Sequence, residues 1–133
     1  MDKLIPSKES LTVEFKSDKK KLSDETLIDS VVAFANTEGG DLYLGVEDNG
    51  YVSGRHESHK DFTQLSAFIA NRTIPPVSVR VEQIEAELPV IKISVPKSRS
   101  IVASSSGKIQ RRRLKMDGTP ENIPMYPYEI NTR

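Results

Sequence analysis

The segment 32–50 constrains the fold of this chain more than any other. Apolar residues at helical spacing end before Asn36, a glycine pair follows at Gly39 and Gly40, and alternating apolar residues begin directly afterwards. Because so few residues join the two patterns, the chain must turn sharply from a helix into a strand, and glycine permits the positive φ that such a corner needs. The glycines precede a strand rather than a helix, so they predict no phosphate cradle. We interpret Asn36, Gly39, Gly40 and Gly45 as residues that shape this corner.

Hydrophobic periodicity in the rest of the chain predicts an α+β fold. Ser23 is a candidate N-cap for the helix that carries the apolar stripe, and Ser58 with Asp61 is a candidate capping box for a second helix that ends at Pro75-Pro76. Alternation of apolar and polar residues predicts strands at 11–16, 42–46, 77–81 and 91–95, with a final hairpin over 101–114. The expected architecture is a single domain in which two main helices cover one face of a mostly antiparallel or mixed sheet of about six strands.

Composition narrows the class of protein, and the chain length of 133 residues fits one domain spanning 1–133. The absence of cysteine excludes a disulfide framework, a thiolate zinc site and a cysteine nucleophile. No apolar run reaches the ~18–20 residues of a membrane span and no signal-peptide pattern begins the chain, so we expect a soluble, cytoplasmic protein without a membrane partner. There is no Walker-type phosphate loop, and no ATP site is predicted. His56 and His59 lack further ligands at zinc spacing and predict a solvated loop.

Charge is segregated along the chain although the formal net charge is zero. Residues 1–48 contain eleven acids and six bases, whereas residues 88–116 contain eight bases and no acid. A basic segment of this kind suits a phosphate-binding surface, because each cation near a phosphate releases a condensed counterion. The alternative is a solvated strand edge that lysine and arginine protect from aggregation. We favour the phosphate-binding surface, with candidate contacts from Arg99, Lys108, Arg111, Arg112, Arg113 and Lys115.

A second candidate site consists of carboxylates near strand ends. Glu14 and Lys16 lie on one side of the first predicted strand, Glu9 precedes it, and Glu47 and Asp48 end another strand. Converging carboxylates can hold Mg²⁺ or Mn²⁺, and a neighbouring lysine can stabilise a hydroxide, as in metal-dependent nucleases. The alternative for the Glu-x-Lys pattern is a cross-strand ion pair on an exposed sheet face. The candidate catalytic residues are therefore Glu9, Glu14, Lys16 and Glu47, and the candidate metal ligands are Glu9, Glu14, Glu47 and Asp48.

Two blocks of sequence carry a family resemblance. The first is Glu9-Ser10 followed by Val13-Glu14-Phe15-Lys16, and the second runs from residue 33 to residue 50 through Asn36-Thr37-Glu38-Gly39-Gly40. Together they closely resemble the Schlafen AlbA-type domain, which occurs in bacterial and archaeal transcriptional regulators, in some RecG-like helicases and in the vertebrate Schlafen proteins. The resemblance implies an AlbA-like fold and nucleic-acid binding. Family members continue into further regions, so we expect 1–133 to be the N-terminal part of a longer protein.

The resemblance leaves three functions open. The first is a non-catalytic DNA- or RNA-binding domain of a transcriptional regulator, and the scarcity of aromatic residues, 6%, favours duplex or structured RNA over stacked single strands. The second is a metal-dependent endoribonuclease, because some relatives cleave RNA through three acidic residues that match Glu9, Glu14 and Glu47, the last being aspartate in those relatives. The third is a structural dimerisation module. Relatives pair two such lobes, so a homodimer is a possible partner arrangement.

Overall fold

The computed structural model describes residues 4–131, so both ends of the predicted domain range lie outside the described residues. Two short 3₁₀ helices, Glu57–His59 and Phe62–Gln64, precede the second α-helix. The other elements are β1 (Val13–Lys16), α1 (Asp24–Ala35), β2 (Gly40–Leu44), α2 (Leu65–Asn71), β3 (Thr73–Ile74), β4 (Arg80–Glu85), β5 (Pro89–Val95), β6 (Ala103–Ser104), β7 (Gln110–Leu114), β8 (Pro120–Pro124) and α3 (Pro127–Asn131).

A four-stranded mixed sheet forms the centre of the molecule, in the order β1-β2-β5-β4. Helix α1 connects β1 to β2, and these two strands are parallel, whereas β2, β5 and β4 pair antiparallel. The remaining four strands form two smaller antiparallel pairs, β3 with β6 and β7 with β8. The predicted α+β class is confirmed. None of the helices within residues 4–131 combines the length and the apolar character that crossing a membrane would require.

Apolar clusters pack against both faces of the sheet. Helices α1 and α2 pack on one face through a cluster that includes Val31, Phe34 and Ile69, all 0% exposed. The opposite face buries Phe15 and Tyr43, whose rings meet edge to face with centroids 6.0 Å apart. Packing from both sides fixes the position of β1, the strand that carries Glu14 and Lys16.

The glycine corner forms as the sequence predicts. Helix α1 begins after Ser23, whose Oγ accepts a hydrogen bond from the Thr26 N–H at 3.1 Å, and Asn36 is the C-cap residue. Gly39 has φ +73° and donates to the Phe34 carbonyl at 2.8 Å. A Cβ on Gly39 would lie 2.6 Å from the carbonyl oxygen of Val95, so both the backbone conformation and the close approach of β5 require glycine here.

Three predictions differ from the structure. The second helix begins at Leu65 and not at Ser58, because the His56 Nδ1 accepts the Ser58 N–H and the side chain of Asp61 makes no capping bond. The predicted hairpin over 101–114 does not form, since β6 pairs with β3 and β7 pairs with β8. The solvated loop predicted around the two histidines is also wrong in part, because His59 is only 5% exposed.

Candidate nucleic-acid interface

Arg112 is an internal anchor of strand β7. Its side chain is buried, and the guanidinium group lies over the Phe34 ring at 4.7 Å from the ring centroid. The guanidinium donates to the carbonyl oxygens of Ser10, Leu11 and Val13, the carboxylate of Glu14 and the amide oxygen of Asn122. These acceptors match the five N–H donors of an arginine. The prediction that Arg112 contacts phosphate is therefore wrong, because its guanidinium donors bond to acceptors inside the molecule.

Glu14 is held by several partners at once. Its carboxylate pairs with Arg112, accepts from the Ser30 hydroxyl at 2.9 Å and lies 3.3 Å from the Lys16 Nζ. The Asn122 amide nitrogen approaches the same carboxylate at 3.5 Å. The glutamate is 4% exposed. A buried carboxylate with this many donors is a structural ion-pair partner, and it has no free oxygen to offer a cation.

The other predicted carboxylates do not join Glu14 in a metal centre. The Glu9 carboxylate accepts the Phe15 N–H at 2.8 Å, and its pKa is raised by burial and by the negative charges of Glu14 and Asp48, against the opposing effect of that hydrogen bond. Within residues 4–131, no group of three or more aspartate, glutamate, histidine or cysteine side chains is arranged to hold a metal ion. The residues predicted as Mg²⁺ or Mn²⁺ ligands therefore do not fit such an ion.

Glu47 faces a different set of neighbours from Glu14. The Ser53 hydroxyl donates to the Glu47 carboxylate at 2.5 Å, and this hydrogen bond lowers the pKa of Glu47. Glu47 and Asp48 line an open cleft of about 440 Å³ together with Lys19, Asn49 and Tyr51. Of the predicted catalytic residues, this cleft contains only Glu47, whereas Glu14 lies in the buried pair with Arg112 and Glu9 accepts the Phe15 N–H.

In the fold, half of the eight basic residues of segment 88–116 pair with acids of residues 1–48. Acids from residues 1–48 pair with bases from residues 88–116 along several elements: Glu14 with Arg112, Glu25 and Asp29 with Lys108, Glu38 with Lys97, and Asp41 with Lys92. Lys108, for example, lies 2.5 Å from the Glu25 carboxylate and 3.2 Å from that of Asp29. Much of the basic segment thus serves the internal charge balance of the domain.

The outward side of β7 retains a row of cations, which we call the β7 stripe and define as Arg111, Arg113 and Lys115. Successive side chains of a strand point to opposite sides, so the burial of Arg112 places Arg111 and Arg113 on the other side. The Lys115 N–H donates to the Thr119 carbonyl at 2.8 Å, which continues the β7–β8 ladder. Arg113 and Lys115 are exposed and Arg111 is half-buried, so the stripe is accessible to a ligand.

Each member of the stripe has a carboxylate near it: Glu129 for Arg111, Glu121 for Arg113 and Asp117 for Lys115. The Arg113 Nε donates to Glu121 at 2.9 Å, in a pair whose side chains are 50% and 32% exposed. The Arg111 Nε lies 2.5 Å from the Glu129 carboxylate and forms an ion pair with it. Arg99, the remaining predicted contact, is exposed in the loop between β5 and β6.

Aromatic side chains lie beside the stripe, which the sequence did not predict. Tyr126 and Tyr128 stack with ring centroids 6.1 Å apart and an angle of 6° between the rings, and they remain 56% and 69% exposed. The Met125 N–H donates to the Ile109 carbonyl at 2.9 Å, so the chain just before Tyr126 runs alongside the start of β7. The cluster Met125-Tyr126-Pro127-Tyr128 was visible in the sequence, but its position next to the arginines depends on the β7–β8 pairing.

Asn36 fixes the start of β7 against helix α1. Its Nδ2 donates to the carbonyl oxygens of Val102 and Gln110, each at 2.8 Å, and its Oδ1 accepts the Val102 N–H at 2.8 Å. Asn36, at the C-terminus of α1, therefore also acts as a clamp that holds the two ends of the 102–110 segment. Asn36 thereby links the glycine corner to the basic strand.

Comparison with known proteins identifies the family. A family model described as Schlafen, AlbA_2 matches residues 9–119. The crystal structure of the DIP2311 protein from Corynebacterium diphtheriae is similar at 23% identity and a TM-score of 0.64, over 86% of this chain and 22% of that one. The solution structure of an N-terminal domain from Nitrosomonas europaea, named for a RecG-related, ATP-dependent DNA helicase, is similar at 23% identity and a TM-score of 0.52, over 67% of this chain and 65% of that one. The chain thus spans only part of the length of each of these proteins, and it belongs to the Schlafen AlbA_2 family.

Proposed function

We propose that this domain binds nucleic acid without cleaving it and serves a transcriptional regulator. The observation that carries the proposal is the β7 stripe, which points outward because the neighbouring Arg112 is anchored inside. Phosphates are the ligands for which a row of arginine and lysine is suited, since each contact combines charge with N–H donors. Sequence preference is expected to be weak, because such contacts carry no base information.

The carboxylates next to the stripe do not prevent phosphate binding. An ion pair between exposed side chains contributes only about 0–1 kcal/mol, so a phosphate can replace or join the carboxylate at little cost. The Arg113–Glu121 contact uses Nε alone, and the other four guanidinium N–H donors are not part of it. Two adjacent phosphate oxygens can therefore be bound by the Nη edge while the ion pair persists.

Two further considerations support the proposal. One of the structurally similar domains belongs to a protein named for a DNA helicase. The resemblance stated from the sequence also implies a domain that occurs in transcriptional regulators. A single stripe contains few cations, and a homodimer would double the number of phosphate contacts, so we include a dimer in the proposal. The metal-dependent nuclease has no comparable support, since Glu14 is already bound by Arg112 and Ser30.

The test is a salt titration of binding to fluorescently labelled DNA and RNA. The double variant Arg113→Ala/Lys115→Ala should weaken binding to every sequence and reduce the slope of log K against log salt by about 1–2. Arg80→Ala is the matched control, because Arg80 is an exposed arginine on β4, at the opposite edge of the central sheet from β1. Binding that is independent of salt, or a double variant that binds like the control, would overturn the proposal.

A further inference from the structure

We propose that Tyr126 and Tyr128 form a base-stacking platform for single-stranded nucleic acid. The inference rests on the proposed function and narrows its ligand from any polyanion to an unpaired strand. It also reverses the expectation of duplex or structured RNA, which followed from the scarcity of aromatic residues and from their distance in sequence from the basic segment. The fold removes that distance by placing the two tyrosines beside β7.

The two rings are presented as a pair. They stack almost parallel, at 6°, and more than half of each side chain is accessible. Their backbone is held in place, since the Tyr126 N–H donates to the Glu129 carboxylate at 2.9 Å. An exposed aromatic pair of this kind offers a flat π surface of the size of a nucleobase, and it loses little conformational freedom when a base stacks on it.

The platform lies next to the β7 stripe. Glu129 accepts from Tyr126 and also forms the ion pair with Arg111, so one carboxylate joins helix α3 to the stripe. The pairing of Gln110 with Pro124, followed by the bond from Met125 to Ile109, places the start of α3 beside the first residues of β7. Phosphate-binding cations and base-binding rings thus share one surface of the domain.

This combination is selective for an unpaired strand. In a duplex the bases stack on one another and only their edges are open, so a tyrosine ring cannot cover a base face without unstacking it. In a single strand each base can leave its neighbours, stack on a ring and keep its phosphate near a cation. The pair is tolerant of sequence, because every base has a π face.

The other two tyrosines of the described chain provide a contrast. Tyr43 is 2% exposed and belongs to the core. Tyr51 is 64% exposed, but it lines the cleft that contains Glu47 and Asp48, where a phosphate backbone would be repelled. Exposure alone therefore does not define the platform, and Tyr51→Leu is a matched control for the loss of an exposed tyrosine.

The experiment compares three labelled ligands in the full chain: oligothymidylate, an abasic oligonucleotide of the same length, and a duplex. The abasic strand keeps the phosphates and lacks the bases, so it separates the two kinds of contact. We expect oligothymidylate to bind more tightly than the abasic strand by about fivefold or more. The double variant Tyr126→Leu/Tyr128→Leu should remove this difference in affinity. The control Tyr51→Leu should keep it. The double variant Tyr126→Phe/Tyr128→Phe should also keep it, because phenylalanine rings stack on bases.

The outcomes distinguish the two proposals. If oligothymidylate and the abasic strand bind equally well to the unaltered chain, or if the double leucine variant retains the difference, the platform is refuted while phosphate binding stands. If none of the three ligands binds, the proposed function is refuted and the platform with it. Circular dichroism of each variant confirms that the comparison is made between folded proteins.

Discussion

The guanidinium of Arg112 and the carboxylate of Glu14 form a buried ion pair between residues 98 positions apart in the sequence. The pair joins β7 to β1, and the same guanidinium also reaches the carbonyl oxygens that precede and begin β1. Because the inward position of β7 is occupied by a charged side chain that is fully bound, the register of the strand is fixed. The outward direction of Arg111 and Arg113 follows from this one buried contact.

Arg112→Leu is expected to lower the free energy of unfolding by about 3–5 kcal/mol, since it leaves the buried Glu14 carboxylate without its main partner. Arg113→Leu, one residue further along the same strand, should change it by less than about 0.5 kcal/mol because that side chain is half exposed. Urea denaturation measures both. A cost for Arg112→Leu below about 1 kcal/mol would contradict a structural role.

Asn36→Asp tests the clamp between helix α1 and the 102–110 segment. The new carboxylate can still accept the Val102 N–H. It would also face the carbonyl oxygens of Val102 and Gln110, which in the unaltered chain accept hydrogen bonds from the Asn36 amide. We expect a loss of about 2–4 kcal/mol at neutral pH, partly recovered in acid when the carboxyl is protonated and can donate. Thermal unfolding at two pH values measures this. Asn49→Asp is the control, since exposed Asn49 uses only its Oδ1, to accept the Tyr51 N–H at 3.0 Å.

The parts of the fold that the sequence predicted are those set by local pattern. Helix α1 has an N-cap and an uninterrupted apolar stripe, and the glycine pair indicates a sharp turn with positive φ. Strand β7 has no such pattern, because Gln110 to Arg113 are all polar and Leu114 is its one apolar residue. Nothing in Arg111-Arg112-Arg113 indicates which arginine turns inward, and that choice depends on Glu14, which lies far away in the sequence.

Charge segregation was ambiguous for a related reason. Opposite charges in separate parts of a chain suit either an external ligand or each other, and only the tertiary structure decides between them. Here Lys92, Lys97 and Lys108 meet acids of the first 48 residues, whereas Lys115 continues the exposed stripe. The expected carboxylate cluster failed for the same reason, because Glu14 lies beside a cation that sequence spacing could not reveal.

Gly39→Ala should be more costly than Gly107→Ala, although both glycines have positive φ, at +73° and +92°. A Cβ on Gly39 would meet the Val95 carbonyl oxygen at 2.6 Å, whereas a Cβ on Gly107 would have no neighbour within 4 Å. We expect about 1–2 kcal/mol for Gly107→Ala from the backbone alone, and about 2–5 kcal/mol for Gly39→Ala. Equal losses in chemical denaturation would show that β5 does not approach the corner as closely as the structure indicates.

The last prediction concerns acid stability and the buried Asp18. Burial alone would raise the pKa of Asp18, but hydrogen bonds from the His59 ring, the His56 N–H and the Leu22 N–H outweigh it and lower the pKa below its usual value of 3.8. A carboxylate whose pKa is lower in the folded state stabilises the fold above its unfolded pKa, and this contribution is lost as the pH falls through the lowered value.

The chain should therefore lose stability progressively below about pH 4, and Asp18→Asn should flatten this part of the curve while lowering stability at neutral pH by about 2–4 kcal/mol. The loss at neutral pH arises because an asparagine amide has only one oxygen. Its NH₂ group would face one of the donors, on Leu22, His56 or His59, that bond to the Asp18 carboxylate in the unaltered chain. Asp61→Asn is the control, since Asp61 is exposed and makes no side-chain capping bond. Urea denaturation of the three proteins from pH 7 into acid measures the difference. An Asp18→Asn curve parallel to that of the unaltered chain would contradict the assignment, because the ionisation of Asp18 would then contribute nothing to folding.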